Sequence, residues 1–178
     1  QDYDEAMAAI RRLGEKVIAD GTPAHFAPLI FVFTGNGNVS QGAQIVANEL
    51  GDAFEMVDLE SLPELVAKGE SGEVDRHKIY GAVCDIDNMA VRNDGGPFDA
   101  MEYLTHPERY SPIFHERVAP YASVIVNSCY WDNRYPRLLT TEQQRELIAQ
   151  GRTRLLAVGD ITCDVSSANI YLSVLVPP

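Results

Sequence analysis

Ten consecutive residues, Thr34-Gly35-Asn36-Gly37-Asn38-Val39-Ser40-Gln41-Gly42-Ala43, have types and spacing suited to holding a phosphate. Gly35 can make a tight turn, and Gly37 leaves the backbone bare where a pyrophosphate would approach. The N–H groups opening the next element carry the positive end of a helix dipole. Ser40 stands where the usual GxGxxG pattern has its third glycine, and Gly42 follows two positions later. A serine there can cap the helix or donate to a phosphate. A ligand-free glycine turn would use the same residues. What favours a nucleotide is the context, an apolar run before the loop and a helical pattern behind it.

Asp58 stands about 20 residues beyond Gly37, where a dinucleotide fold keeps an acid for the ribose hydroxyls. Alone it is a common strand-end residue; coupled to the glycine loop it gains meaning. An acid at that position disfavours a 2′-phosphate, but the same pattern also serves S-adenosylmethionine, so spacing alone does not name the cofactor. Asn127-Ser128-Cys129-Tyr130-Trp131 and Asp160-Ile161-Thr162-Cys163-Asp164 follow later apolar runs and could border a nicotinamide and its substrate. Packing aromatics and turn-capping acids would account for them equally well. His25, His77, His106 and His115 show no paired spacing, so no metal site is expected. No nucleophile-elbow pattern appears.

The elements that must position these residues are legible from periodicity. Met7, Ile10, Leu13 and Val17 form one helical stripe, closed by Gly21 and Pro23. Leu29-Ile30-Phe31-Val32-Phe33 reads as a strand buried on both faces. A helix over Ala43–Leu50, a strand over Phe54–Val57, a helix over Leu62–Ala67 and a strand over Ile79–Val83 follow. The stretch from Asp85 to Pro120 is polar and turn-rich, with a short helix over Asp99–Leu104; its length marks it as functional or partly disordered. Ser123–Asn127 is a fourth strand, Thr140 and Thr141 with Gln143 and Gln144 open a helix ending at Ala149, Leu155–Val158 is a fifth strand and Ile170–Val176 a sixth. The alternation predicts an α/β fold, Rossmann-like and doubly wound, with a mainly parallel sheet and helices on both faces.

Composition sets outer bounds. The chain has 178 residues, 46% of them hydrophobic, and a formal net charge of −12. That suits one domain and disfavours a nucleic-acid or anionic-membrane partner, since either needs Lys and Arg on the contacting face. Cys84, Cys129 and Cys163 are an odd number without CxxC spacing, which predicts reduced, buried thiols. No apolar run reaches the ~20 residues that span a bilayer, and a cytoplasmic protein is expected. The start at Gln1 and the end at Pro177-Pro178 read as an excised piece of a longer chain.

The run from Phe31 to Gln44 closely resembles the nucleotide loop in the lysine–ketoglutarate reductase half of bifunctional α-aminoadipic semialdehyde synthase. Ile79-Tyr80-Gly81, His106-Pro107-Glu108-Arg109-Tyr110, Phe114-His115-Glu116, Ala119-Pro120-Tyr121-Ala122-Ser123, Tyr130-Trp131, Pro136-Arg137-Leu138-Leu139 and Asp160-Ile161-Thr162-Cys163-Asp164 fit the same family in the same order. The plant-type form looks closest, and the likeness covers nearly the whole chain.

The resemblance implies a reductase that condenses L-lysine with 2-oxoglutarate and reduces the imine to saccharopine with NADPH, NADH being the alternative cofactor. It implies a covalently linked saccharopine dehydrogenase domain, is compatible with a homo-oligomer, and places an animal-type protein in the mitochondrion. The loop Gly35, Asn36, Gly37, Asn38, Val39 and Ser40 would hold the pyrophosphate and Asp58 the ribose. Asp160, Ile161 and Thr162 would border the nicotinamide, and Asn127, Ser128, Cys129 and Tyr130 the substrate. Residues 1–28 would lead in from an absent substrate domain that carries the catalytic acid and base, 29–164 would form the dinucleotide-binding domain, and 165–178 a return segment.

Two departures stand out. Animal members carry a basic, histidine-rich stretch where this chain has Asp85-Ile86-Asp87-Asn88, and after Asp164 the family runs through a longer tail. An NAD-dependent saccharopine or alanine dehydrogenase-like oxidoreductase and a noncatalytic nucleotide-binding or S-adenosylmethionine-binding module are the alternatives.

Overall fold

Leu29–Thr34 (β1) alternates between two apolar interiors, and this makes it the middle of the molecule. In the computed structural model, which describes residues 2–161, Ile30 and Val32 enter one core and Leu29 and Phe31 the other. Four further strands complete a parallel sheet: Phe54–Met56 (β2), Ile79–Cys84 (β3), Val124–Asn127 (β6) and Ala157–Asp160 (β7). The order is β2-β3-β1-β6-β7, with Thr34 paired to Cys84 and Asn127 to Asp160.

Helices cover both faces, as the alternation predicts. Tyr3–Asp20 (α1) and Asn38–Asn48 (α2) lie on the Phe31 side. There α1 buries Val17 with Leu50, Ala53 and Ile79. Gly14 is required at this contact, because a Cβ would lie 2.1 Å from the Leu50 carbonyl oxygen. The other core receives Leu62 and Val66 from Leu62–Ser71 (α3), Phe114 from Phe114–Arg117 (α5) and Leu147 from Thr141–Ala149 (α6). The capping box is present: Thr140 accepts from Gln143 N–H, and the Gln143 side chain returns to the Thr140 N–H. Leu13 keeps to the predicted stripe, lining an apolar groove with Ile10 and Phe31, but is exposed there.

The long polar stretch folds as a small unit. Ala90–Arg92 (β4) pairs antiparallel with Tyr110–Pro112 (β5), and Ala100–Thr105 (α4) lies between them. Ala90, Tyr103 and Tyr110 form a separate small core, with Phe98 and Tyr135 against it. Two shifts from expectation matter below. The helix after the glycine loop starts at Asn38 rather than Ala43, and the fifth strand runs two residues later, to Asp160. The sixth strand expected at Ile170–Val176 and the return segment 165–178 lie outside the described residues. No described helix is long and apolar enough to cross a membrane.

Candidate dinucleotide site

The carboxyl ends of β1, β3 and β6 open onto a cavity of about 550 Å³, in the crevice where open α/β sheets take ligands. Its floor is Gly35, Asn36 and Gly37. Asp85 and Ile86 after β3 make one wall, and Ser128 through Trp131 after β6 make the other. Tyr103 and Tyr135 close the side toward the β4–β5 unit.

The loop geometry explains its glycines. Gly35 has φ +75°, a left-handed conformation, and a Cβ on it would lie 2.9 Å from Cys129 Sγ. Gly37 has an ordinary φ of −80°, and nothing lies within 4 Å of where its Cβ would be. The space above Gly37 is thus open. It caps α2 without a side-chain hydrogen bond, so the first-turn amides of Asn38, Val39 and Ser40 lack a side-chain cap at that end. These three residues form the first turn of the helix rather than the loop. Asn38 and Val39 are exposed, whereas Ser40 is buried, its Oγ accepting from Gln44 Nε2 at 3.1 Å. The Ser40 side chain is therefore a packing group, and any phosphate contact there falls to backbone N–H groups.

The strand ends are tied by a buried network. Thr34 Oγ1 donates to Asn127 Oδ1 at 2.9 Å, and Asn127 Nδ2 donates to Asp160 Oδ1 at 3.1 Å. Ser128 N–H donates to Thr34 Oγ1, and the Ser128 hydroxyl donates to the Thr34 carbonyl. Asn127 is fully buried, its amide oxygen and NH₂ directed to Thr34 and Asp160. It is enclosed by the sheet, where the sequence reading has it against substrate; Ser128, Cys129 and Tyr130 do reach the cavity. Asp160 supports Asn127 and is not a wall of that cavity. Ile161 continues the ladder to Asn127 and faces a different, apolar groove with Phe31 and Phe33. Thr162 lies outside the described residues.

Asp58 is not brought to the loop. The second strand lies at the sheet edge with β3 between it and β1, and Asp58 is exposed and absent from the cavity wall. Asp85, which the sequence names only as part of a departure from the animal members, is in the wall.

Neither described thiol is activated. Burial pushes the Cys84 thiol up strongly and raises Cys129 as well. Tyr103 is raised to about 12, mainly by burial. Asp132 is held down to about 2 by the Arg134 guanidinium, at 2.7 Å. The Arg137 guanidinium stacks 3.8 Å from the Trp131 ring, whose Nε1 donates to the Tyr135 carbonyl. Among the described residues no group of His, Cys, Asp and Glu could hold a metal ion.

No family model matches the chain. It is 39% identical over 170 residues to the α-aminoadipic semialdehyde synthase of Arabidopsis thaliana, covering 92% of this chain and 16% of that protein. It is 35% identical over 182 residues to the mitochondrial α-aminoadipic semialdehyde synthase of Bos taurus, covering 95% and 19%. The Mus musculus protein of the same name is 34% identical over 186 residues, covering 97% and 19%. The chain thus spans less than a fifth of the length of these relatives.

Proposed function

The chain belongs, as one segment, to the family of the α-aminoadipic semialdehyde synthases, and from that premise we propose that it is the dinucleotide-binding domain of a reductase acting on the imine of L-lysine and 2-oxoglutarate. The carrying observation is the open space over Gly37 beside an uncapped α2 N-terminus, at the sheet edge where a pyrophosphate would lie. These residues fit a nicotinamide dinucleotide. Backbone N–H groups of the Gly35–Ser40 turn would take the pyrophosphate. Ser128, Cys129 and Tyr130 would border the nicotinamide end and the saccharopine formed there.

When bound, the cofactor supplies the hydride; the chain's residues orient it and exclude water. With the Cys129 thiol raised and no histidine in the cavity wall among the described residues, this reading assigns proton transfer to a substrate domain outside this chain. The segment therefore binds dinucleotide without efficient turnover. A linked saccharopine dehydrogenase domain in the parent protein is part of the same reading.

Calorimetric titration with NADH, NADPH and S-adenosylmethionine tests it. Binding of a nicotinamide dinucleotide is expected. A response to S-adenosylmethionine alone would replace the reductase reading with that of a nucleoside-binding module.

A further inference from the structure

We propose that the apolar run Ile170–Val176 of this chain seats on the face of β6 and β7 that the described residues leave bare, filling the groove between that face and the helices α1 and α2. The inference is independent of what the glycine-loop cavity binds.

A parallel sheet of apolar strands is covered on both faces. One face of this sheet is complete, with side chains of α3, α5 and α6 packed against Ile30, Val32 and Ile125. On the other face the cover stops short of β7. Val126, on an inner strand, is only half-buried, and Ala157, Gly159 and Ile161 are exposed. These three alternate with Val158, which packs into the completed core, so they share the opposite face. Gly159 pairs with Val126, and nothing lies within 4 Å of where its Cβ would be.

Between this bare face and the helices runs a groove of about 400 Å³. Phe31, Phe33 and Val126 make its floor, Leu13 of α1 and Val46 of α2 its sides, and Ile161 its end. Every residue lining it is apolar, yet Leu13 is 51% and Ile161 43% exposed. A concave apolar surface continuous with bare sheet differs from scattered exposed side chains, and such a patch marks a docking site.

The sequence supplies the occupant. Ile161 lies in the groove directly after β7, so the chain that follows sets out from there. Residues 162–169 are a mostly polar connection of eight residues, long enough to span roughly 25 Å and to let the next segment double back along the strands. Six of the seven residues from Ile170 to Val176 are apolar. No residue from Val165 to Val176 is charged, which matches a groove whose lining carries no charge.

The test is a benzophenone photocrosslinker in place of Leu13 in the full chain, a position exposed in the groove whose replacement leaves the buried core intact. Circular dichroism verifies the fold and sedimentation velocity the oligomeric state. Irradiation should give a cross-link within the monomer, mapped by peptide mass spectrometry to residues 170–176. The same probe in place of Arg12, which faces away from the groove, should not reach them. Leu172→Asp brings a charge to the apolar seat and should lower the cross-link from position 13 roughly tenfold. It should also raise the fluorescence of an added anilinonaphthalene sulfonate, which binds the uncovered face. Cross-links between chains in a dimer would overturn the inference in favour of a second copy as the occupant. A monomer in which position 13 reaches nothing in 170–176, or a cross-link that Leu172→Asp leaves unchanged, would overturn it as well.

Discussion

Thr34 Oγ1 and Asn127 Oδ1 stand 2.9 Å apart with no access to solvent, joining the last residue of β1 to the last residue of β6. The cavity floor and its Ser128 wall are held in mutual position by this bond and its extension to Asp160.

Asn127→Ala removes the amide that joins Thr34 to Asp160 and leaves the buried Thr34 hydroxyl without its acceptor. The expected cost is about 2–4 kcal/mol, from unmet buried polar groups and a small cavity. Urea denaturation followed by circular dichroism measures it. A loss below about 0.5 kcal/mol, the range of ordinary surface changes, would remove the network from the stability account.

Gly35 and Gly37 should separate fold from binding. Gly35→Ala places a Cβ against Cys129 Sγ in a left-handed backbone, a conformation that costs about 1–2 kcal/mol before any clash, so its melting temperature should fall. At Gly37→Val the added Cβ has no protein atom within 4 Å and φ is an allowed one, so the variant should fold normally. Its isopropyl group fills the space above the loop, and NADH affinity should drop by orders of magnitude. Unchanged affinity in the folded Val variant would take the turn out of the site.

Glu102 should contribute to acid sensitivity. Hydrogen bonds from Arg109, at 2.6 Å, and from Tyr110, at 2.8 Å, hold its carboxyl below the ordinary 4.5. A depressed native value stabilises the fold at pH above 4.5, and that stabilisation disappears as pH falls through the lower native value. Asp132 acts in the same direction, from 3.8 down to about 2. Glu102→Gln should be less stable at pH 7 and show a shallower decline between pH 5 and 2. Parallel acid limbs in parent and variant would exclude Glu102.

Cys129 offers an occupancy probe. Burial raises its thiol, so alkylation by iodoacetamide should be slow at neutral pH and speed up toward alkaline pH. Because it lines the cavity, saturating NADH should slow the reaction further. Peptide mass spectrometry distinguishes Cys129 from Cys163; equal labelling of Cys129 with and without NADH would place the cofactor elsewhere.

Strands with continuous apolar runs were legible in the sequence, as β1, β3 and β6 show. The β4–β5 pair was not: each strand has three residues, with Arg92 and Ser111 among them, and a helix and a turn separate the two in the chain. The start of α2 was misplaced because Asn38, Val39 and Ser40 look like loop residues, although the uncapped turn they form is helical. At the site, the glycine loop was readable from local spacing. The distance of Asp58 from that loop was not, because it depends on which strand lies beside β1, a matter of pairing between distant segments. Asn127 looked like a ligand residue by its place after a strand, and only burial shows its amide to be engaged on both sides.

The central place of β1 has a consequence for synthesis. Both hydrogen-bonding neighbours are made after it, β3 beginning at Ile79 and β6 at Val124. At ribosomal speeds of about 5–20 residues per second, Leu29-Ile30-Phe31-Val32-Phe33 waits roughly several seconds with two unpaired edges. An apolar strand in that state is a template for pairing with another nascent chain. The helices α1, α2 and α3 all precede β3 in the chain, and they can shelter the faces of β1 but neither edge. The hazard of aggregation therefore belongs to the growing polypeptide, and slowing translation between residues 34 and 124 should lower the yield of soluble protein without changing the stability of what folds.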